Sequence, residues 1–154
     1  MEITDLLAPR SVIAHLRVGT KKQALQEIAR RAASVTGIAE RRIFDVLAER
    51  ERLGSTGIGR GVAIPHGKLA ELPRLYGFFA RVDRPIAFDA IDDQPVDLVF
   101  ALLAPTAEGA EHLRALARVS RLLRDAATCQ KLRGTDNADA LYVLLADRTE
   151  THAA

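Results

Sequence analysis

The sequence predicts an α/β sandwich in which helices cover both faces of a central β-sheet. Segments with helical apolar periodicity alternate along the chain with short strand-like segments. The run from Val96 to Leu103 is almost uninterruptedly apolar, which is typical of a central strand covered on both faces. With 154 residues and 48% hydrophobic content, the chain is long enough for one globular domain, residues 1–154, to bury its own core.

The chain is predicted to begin with a strand followed by a helix. Residues 12–18 alternate between apolar and other side chains, which favours a strand with His15 on its solvent face. Thr20 and Gln23 form a capping-box pattern at the start of an amphipathic helix, and Gly37 is placed to end it.

A second helix is predicted over residues 39–53, with Gly54 as its stop. Arg50 follows Val46 by four residues and Leu47 by three, so its stem is expected on the buried face of this helix. A guanidinium in that position binds an anion, extends to the surface, or pairs with a structural carboxylate.

The glycine-rich stretch 53–69 is predicted to be a shaped loop that the remaining chain holds in place, because its glycines permit positive φ or close approach. Val62–Ile64 is predicted as a brief strand. Pro65 lacks a backbone donor and is expected to take the chain out of the sheet. His66 then lies at the strand exit, where it is either a reactive group or an ordinary loop histidine.

The middle of the chain is predicted to contain two more strands separated by turns. Residues 75–82 form the first, a turn follows at residues 83–85, and residues 86–91 are extended. A second turn over residues 92–95 precedes the apolar central strand, which Pro105 ends.

Three helices are predicted after Pro105. The first begins near Glu108 and runs to about residue 125 on an apolar stripe comprising Leu113, Leu116, Ala117, Val119, Leu122 and Leu123. A short helix over residues 128–133 closes at Gly134, and Asp136 is the expected cap of the last helix. Residues 149–154 are expected to be a frayed tail.

His112 falls in the first turn of the long helix, on its apolar stripe, and is therefore expected to face inward from the end of the central strand. The positive end of the helix dipole should disfavour its protonation. It is either a functional partner of a neighbouring imidazole or phosphate, or a capping or core histidine.

Composition argues against several classes of protein. The formal charge of +2 is scattered, without the basic patch of a nucleic-acid binder. The single Cys129 fits a reducing cytoplasm and is expected to be a buried apolar side chain. No export signal is visible, and no apolar run approaches the roughly 20 residues that span a bilayer. A cytoplasmic protein without membrane insertion is therefore expected.

Other site patterns fail in detail. The sequence Gly57-x-Gly59 lacks the third glycine of a dinucleotide fingerprint, and no Ser or Thr follows Lys68 as a P-loop requires. Ser55 lies in no nucleophile elbow. A zinc site would need a third ligand beside the two histidines, for which Glu111 is a candidate, but no zinc-binding spacing is present.

Residues 50–68 carry a long motif, Arg50-Glu51-x-x-x-Ser55-Thr56-Gly57-Ile58-Gly59-x-Gly61-Val62-Ala63-Ile64-Pro65-His66-Gly67-Lys68. This motif resembles the active-site region of the mannitol/fructose-type EIIA domains of the bacterial phosphotransferase system, in particular the nitrogen-regulatory EIIA proteins. The likeness continues through residues 20–25 and 85–98, so it covers nearly all of the chain. It implies a single EIIA domain built as a three-layer sandwich, with a mixed sheet of about five strands.

The resemblance implies a phosphohistidine carrier in which His66 is phosphorylated, His112 is the second active-site histidine and Arg50 stabilises the phosphoryl group. Such transfer needs a nucleophilic nitrogen with positive charge or donors around the phosphoryl oxygens. Further donors are expected from the loop, in an anion-cradling arrangement, namely Ser55, Thr56, Gly57 and Gly59. No cofactor and no metal are expected.

The resemblance also implies protein partners. An HPr-like phosphocarrier protein supplies the phosphoryl group, and regulatory targets such as sensor kinases or ion transporters bind according to phosphorylation state. Two alternatives stay open: a sugar-branch EIIA that passes phosphate to a separate EIIB for mannitol or fructose uptake, and a non-catalytic interaction module. The joint presence of Arg50, His66 and His112 counts against the second.

Overall fold

The computed structural model of the protein describes residues 1–107 and 109–153, with side chains described for residues 1–107 and 109–146. Two layers of helices enclose a six-stranded mixed sheet, which confirms the predicted α/β sandwich. The strands are β1 (Val12–Leu16), β2 (Gly57–Gly59), β3 (Val62–Ala63), β4 (His66–Lys68), β5 (Tyr76–Ile86) and β6 (Val96–Ala104). The helices are α1 (Lys21–Thr36), α2 (Glu40–Arg52), α3 (Gly109–Arg124), α4 (Ala126–Arg133) and α5 (Ala138–Ala153).

Strand β6 lies at the centre of the sheet, whose order is β1-β5-β6-β3-β2, with β4 also paired to β6. It runs antiparallel to β5 and parallel to β3 and β4. All of its residues except Asp97 are buried. The uninterrupted apolar run that predicted a central strand is thus explained by helices packed on both of its faces.

The two faces of the sheet support two separate cores. Helices α1 and α2 pack on one face, where Phe78 belongs to the same buried cluster as Leu25 and Leu47. Helices α3, α4 and α5 pack on the other, where Phe79 lies among the buried residues. Adjacent phenylalanines enter opposite cores because successive side chains of a strand point to opposite faces.

Several predicted helix ends are confirmed. The Thr20 hydroxyl accepts a hydrogen bond from the Gln23 amide at 3.1 Å, and Gly37 takes the left-handed conformation at φ 79°. The cap of α5 was assigned wrongly to Asp136, because the side chain that accepts from the Ala140 amide belongs to Asn137. The expected frayed tail is also wrong, since α5 continues to Ala153.

Helix α3 matches the prediction in its buried face but not in all of its stripe. Val119, Leu122 and Leu123 are buried, whereas Leu113 is 67% exposed and Ala117 is also exposed. These two positions lie at the edges of a stripe that was drawn too wide. The predicted start at Glu108 lies outside the described residues.

The sequence predicted that the chain leaves the sheet at Pro65, and this prediction is wrong. Ala63 lies opposite Val99 and His66 lies opposite Leu102, so β3 and β4 pair with β6 in one register. The carbonyl of Pro65 accepts a hydrogen bond from the Leu102 amide at 2.9 Å. Proline removes a donor but keeps its acceptor, so it interrupts the ladder without ending the pairing.

The turn predicted at residues 83–85 is likewise wrong, because these residues belong to β5, which extends to Ile86. The Asp83 carboxylate bonds to His15 and Arg17, 3.1 and 3.0 Å away, so polar cross-strand contacts keep this end of the strand in place. His15 is exposed, as predicted. The turn predicted over residues 92–95 is present but begins earlier in the chain, because the Asp93 amide donates to the Ala90 carbonyl.

Close contact between β4 and α2 depends on Gly67. A Cβ at this position would lie 2.3 Å from Cγ1 of Val46 in α2. Val46 is β-branched and has little rotamer freedom in a helix, so it cannot turn aside. The absence of a side chain at Gly67 therefore allows α2 to lie directly against the strand that carries His66.

We expect Gly67→Ala to destabilise the protein by about 1–3 kcal/mol, the usual cost of overpacking. Chemical denaturation would measure the loss. Gly134→Ala is the matched control, because its Cβ would meet nothing closer than 3.5 Å. Equal unfolding free energies for the two variants would contradict the close packing of α2 on β4.

Candidate active site

The three residues singled out by the sequence line one cleft of about 620 Å³. Arg50 comes from the last turn of α2, His66 from the start of β4 and His112 from the first turn of α3. Strands β4 and β6 are parallel, so their carboxyl ends reach the same edge of the sheet. Clefts outside the carboxyl ends of strands are the usual ligand sites of open α/β sheets.

The His66 imidazole is held in one tautomer. Its Nδ1 lies 2.8 Å from the carbonyl oxygen of Ile64. Because a carbonyl oxygen can only accept, Nδ1 carries the proton and Nε2 keeps its lone pair. Burial lowers the pKa of His66 below its usual value, and the nearby Arg50 lowers it further, against opposing contributions from the Ile64 carbonyl and Glu51. His66 thus presents a neutral nucleophilic nitrogen.

His112 is 6% exposed and lies beside His66, with ring centroids 5.4 Å apart and ring planes tilted by 53°. Its pKa is lowered to about 4, mainly by burial and then by the charges of His66 and Lys68. The inward orientation is as expected, but burial is the chief cause of the shift and not the helix dipole. Near neutral pH this imidazole is therefore uncharged.

The tautomer of His112 follows from its buried nitrogen. Nδ1 is buried and has no hydrogen-bond partner among the described residues. Buried N–H groups without an acceptor are rarer in proteins than under-satisfied acceptors, so the ring proton is placed on Nε2. His112 then offers one donor beside the acceptor nitrogen of His66.

Arg50 is half-buried and one of its nitrogens, Nη1, donates to the carbonyl of Gly54 at 2.8 Å. No carboxylate of the described residues forms an ion pair with it, so the structural pairing considered from the sequence is not its arrangement. The guanidinium is anchored at one nitrogen and has further donors for an anion in the cleft.

The acidic side chains at the cleft mouth are already paired. Asp45 contacts Arg41 at 3.0 Å, and the carboxylate of Glu49 contacts Arg52. These exposed pairs leave Arg50 as an uncompensated charge at the site. The cleft therefore favours an anion over a cation.

The predicted phosphoryl-binding loop residues do not line this cleft. The Ser55 hydroxyl donates to the Phe88 carbonyl at 2.6 Å, and Gly57 packs against Ala90, where a Cβ would come within 2.7 Å. Gly59 lies beside Asp92, and the Thr56 hydroxyl is buried with no hydrogen-bond partner in the part of the chain that the structure describes. The glycine-rich stretch forms β2 and its connections, whose close packing on the 88–92 segment is what the small residues permit.

Glu51 and Lys21 were missed as site-related residues. The Glu51 side chain is 5% exposed and lies 3.2 Å from the Lys21 ammonium. Glu51 follows the fully buried Leu47 by four residues, so the same helical spacing that marked Arg50 would have marked it as a buried carboxylate.

Over residues 5–148 the chain matches the family described as phosphoenolpyruvate-dependent sugar phosphotransferase system, EIIA 2. The chain belongs to this family. The resemblance seen in residues 50–68 is thereby confirmed, together with the fold that it implied. Among the described residues, no helix of this EIIA protein has the length and apolar content that crossing a bilayer requires.

Nitrogen regulatory proteins are among the relatives. The EIIA chain is 58% identical over 146 residues to the nitrogen regulatory protein of Bradyrhizobium diazoefficiens, covering 95% of both chains. It is 40% identical over 152 residues to that of Escherichia coli K12, covering 98% of this chain and 93% of the relative. The crystal structure of IIA-Ntr from Neisseria meningitidis matches with a TM-score of 0.88 at 33% identity, covering 93% and 98% of the two chains.

The depressed pKa of His112 predicts a stability change in mild acid. An unfolded histidine titrates near 6.5, whereas His112 in the folded protein titrates near 4. Between these values the unfolded chain binds more protons, so this contribution to stability is lost as the pH falls through that window. We expect His112→Gln to flatten this part of the profile. Unfolding free energies measured from pH 7 to 4 would check it, and parallel curves for both proteins would contradict the burial of an uncharged His112.

Proposed function

We propose that this EIIA protein is a cytoplasmic regulator that accepts a phosphoryl group on Nε2 of His66 from an HPr-like phosphocarrier protein. The observation that carries the proposal is the tautomer of His66, whose free Nε2 lies in the same cleft as Arg50 and an uncharged His112. Family membership supports the phosphotransferase context.

In the proposed step, the lone pair of Nε2 attacks the phosphorus atom carried on a nitrogen of the phosphocarrier. A new N–P bond forms as the old one breaks, and the leaving nitrogen retains the bonding electron pair. The His66 ring gains positive charge as the bond forms, and the Ile64 carbonyl, 2.8 Å from Nδ1, stabilises that charge through the retained Nδ1–H. No proton has to be removed from the nucleophile before the attack.

Arg50 and His112 act on the oxygens of the transferring group. The guanidinium supplies positive charge and more than one donor, and Nε2–H of His112 supplies a neutral donor. Fixed donors of this kind stabilise the charge spread over the equatorial phosphoryl oxygens in the transition state. The phosphoryl group would in turn favour protonation of His112, because it replaces a neighbouring imidazole by a dianion.

The regulatory output follows from the change of charge in the cleft. A phosphoryl group brings roughly −1.5 to −2 charge near neutral pH, by analogy with phosphorylated hydroxyls. The proposed targets, such as sensor kinases or ion transporters, would bind differently to the unphosphorylated protein, whose cleft is basic, and to the phosphorylated protein, whose cleft holds the phosphoryl group. The nitrogen regulatory names of the relatives favour this output over a sugar-branch role in which phosphate passes to an EIIB protein.

We expect labelled phosphoenolpyruvate, with the first enzyme of the system and a phosphocarrier protein, to place acid-labile label on wild type and none on His66→Ala. Both His66 and His112 line the Arg50 cleft, but the free Nδ1 of His112 is buried, which leaves Nε2 of His66 as the acceptor. His15→Ala is the matched control, because His15 is exposed and bonded to Asp83. Stable labelling of His66→Ala at the wild-type level would overturn the assignment.

We expect Arg50→Lys to slow phosphoryl acceptance by about 10²-fold, a loss typical of removing one well-placed transition-state donor. Lysine retains the positive charge but lacks the planar guanidinium, whose fixed donors can bind two phosphoryl oxygens together. Transfer rates and thermal melts measured in parallel would separate a role of Arg50 in phosphoryl transfer from a role in stability. A large fall in melting temperature with an unchanged rate would assign Arg50 to the Gly54 contact alone.

A further inference from the structure

Glu51 carries a buried carboxylate that the proposed transfer step does not use. Its side chain is 5% exposed. The two carboxylate oxygens accept from the backbone amide of Thr56 at 3.0 and 3.2 Å. The end of α2 is thus tied to the start of the glycine-rich stretch by a charge-assisted hydrogen bond, which is stronger than one between neutral groups.

Lys21 supplies the compensating charge. Its ammonium lies 3.2 Å from the Glu51 carboxylate and 3.5 Å from that of Asp89, and its side chain is 20% exposed. The same ammonium stands 4.8 Å from the centre of the Phe88 ring. Desolvation offsets much of the attraction in such a pair, so the pair by itself is weak evidence for a stabilising role.

The hydrogen bonds beyond Thr56 lead to the proposed nucleophile. The carbonyl of Thr56 accepts from the Ile64 amide at 3.0 Å. The carbonyl of Ile64 accepts from Nδ1 of His66 at 2.8 Å. Glu51 is therefore joined to the His66 imidazole by three hydrogen bonds in succession, with Thr56 and Ile64 as the intermediate residues.

We propose that Glu51 is a positioning residue for His66: by fixing Thr56, its carboxylate holds the Ile64 carbonyl where it keeps the imidazole proton on Nδ1. This rests on the proposed function, in which Nε2 of His66 is the nucleophile. Lys21 holds the Glu51 side chain in place through their ion pair, 3.2 Å long.

The need for such an anchor comes from the composition of the segment between Thr56 and Ile64. It contains glycines at 57, 59 and 61, and both Gly59 and Gly61 have positive φ. Glycine restricts the backbone least of all residues, so contacts from outside must fix this segment. Strand β6 fixes its far end by pairing with Val62 and Ala63, and Glu51 fixes its near end at Thr56. If the Ile64 carbonyl moves, Nδ1–H loses its acceptor and the proton redistributes to Nε2, where it occupies the lone pair needed for attack.

The principal test is the double variant Lys21→Met/Glu51→Leu, which removes both charges together. Exchanging a buried ion pair for apolar residues of similar volume is often neutral for stability, so this variant should fold. Nitrogen-15 spectra of the unphosphorylated protein would report the His66 tautomer, and transfer from the phosphocarrier would report the rate. We expect a substantial fraction of the Nε2–H tautomer and a rate lowered by about 10²-fold, as for other small losses of alignment.

The single variant Glu51→Gln removes the charge but keeps an acceptor, and it tests the role of Glu51 if the double variant does not fold. Its amide oxygen still accepts from Thr56 but without charge, so both readouts should fall between those of wild type and the double variant. The matched control is Glu27→Gln/Arg30→Gln, which removes an exposed ion pair from α1 and should change neither readout.

The outcomes separate the two proposals. A folded variant with the wild-type tautomer and the wild-type rate would reduce Glu51 to a structural residue, even if its melting temperature falls. Wild-type protein that shows the Nδ1–H tautomer but accepts no phosphoryl group would refute the proposed function. The tautomer measurement would still test Glu51.

Discussion

A single hydrogen bond, from Nδ1–H of His66 to the carbonyl of Ile64, determines what the cleft can do. It leaves the lone pair on the ring nitrogen that an incoming phosphoryl group would meet, and it stabilises the ring once that lone pair has been used. The bond joins residues only two apart in sequence, so it depends on an extended backbone through Pro65. Pairing of β3 and β4 with β6 in one register maintains that backbone.

The electrostatics of the site combine burial with the positive charge of Arg50, which no carboxylate of the described residues compensates. Burial lowers the pKa of both histidines, so that near neutral pH they are not a pair of repelling cations. Their proposed roles as a nucleophile and a neutral donor require this uncharged state. In the proposed step, the guanidinium of Arg50 would attract the phosphoryl oxygens. Glu51 does not line the cleft, and its negative charge is compensated by Lys21. It favours positive charge on the His66 ring without neutralising the anion site.

Elements with strong local signals were predictable from the sequence. The alternation in residues 12–18, the Thr20 cap and the apolar run of β6 each specify a structure through nearby residues. Pro65 and the 83–85 segment were misassigned because their conformation is decided by partners distant in sequence: the Leu102 amide in one case, and His15 and Arg17 in the other. Turn propensity is overridden where such contacts are available.

The site was predictable in part for the same reason. Helical spacing places Arg50 and His112 on buried faces, and the Pro-His-Gly sequence marks His66. The glycines at 57 and 59 signal close approach correctly, but the sequence does not tell which surface is approached, and in the structure that surface is the 88–92 segment. Helical spacing marks Glu51 as buried, but its partners, the Thr56 amide and Lys21, are brought to it by the fold and could not be read from the sequence.

The most direct test of the central claim is which ring nitrogen of His66 bears the phosphorus atom. Protein labelled with nitrogen-15 in its histidines, phosphorylated by the carrier and held at alkaline pH, would show this in two-bond proton–nitrogen spectra. The predicted result is phosphorus on Nε2 of His66. Phosphorus on Nδ1 of His66, or on any other residue, would contradict the role assigned to the Ile64 carbonyl.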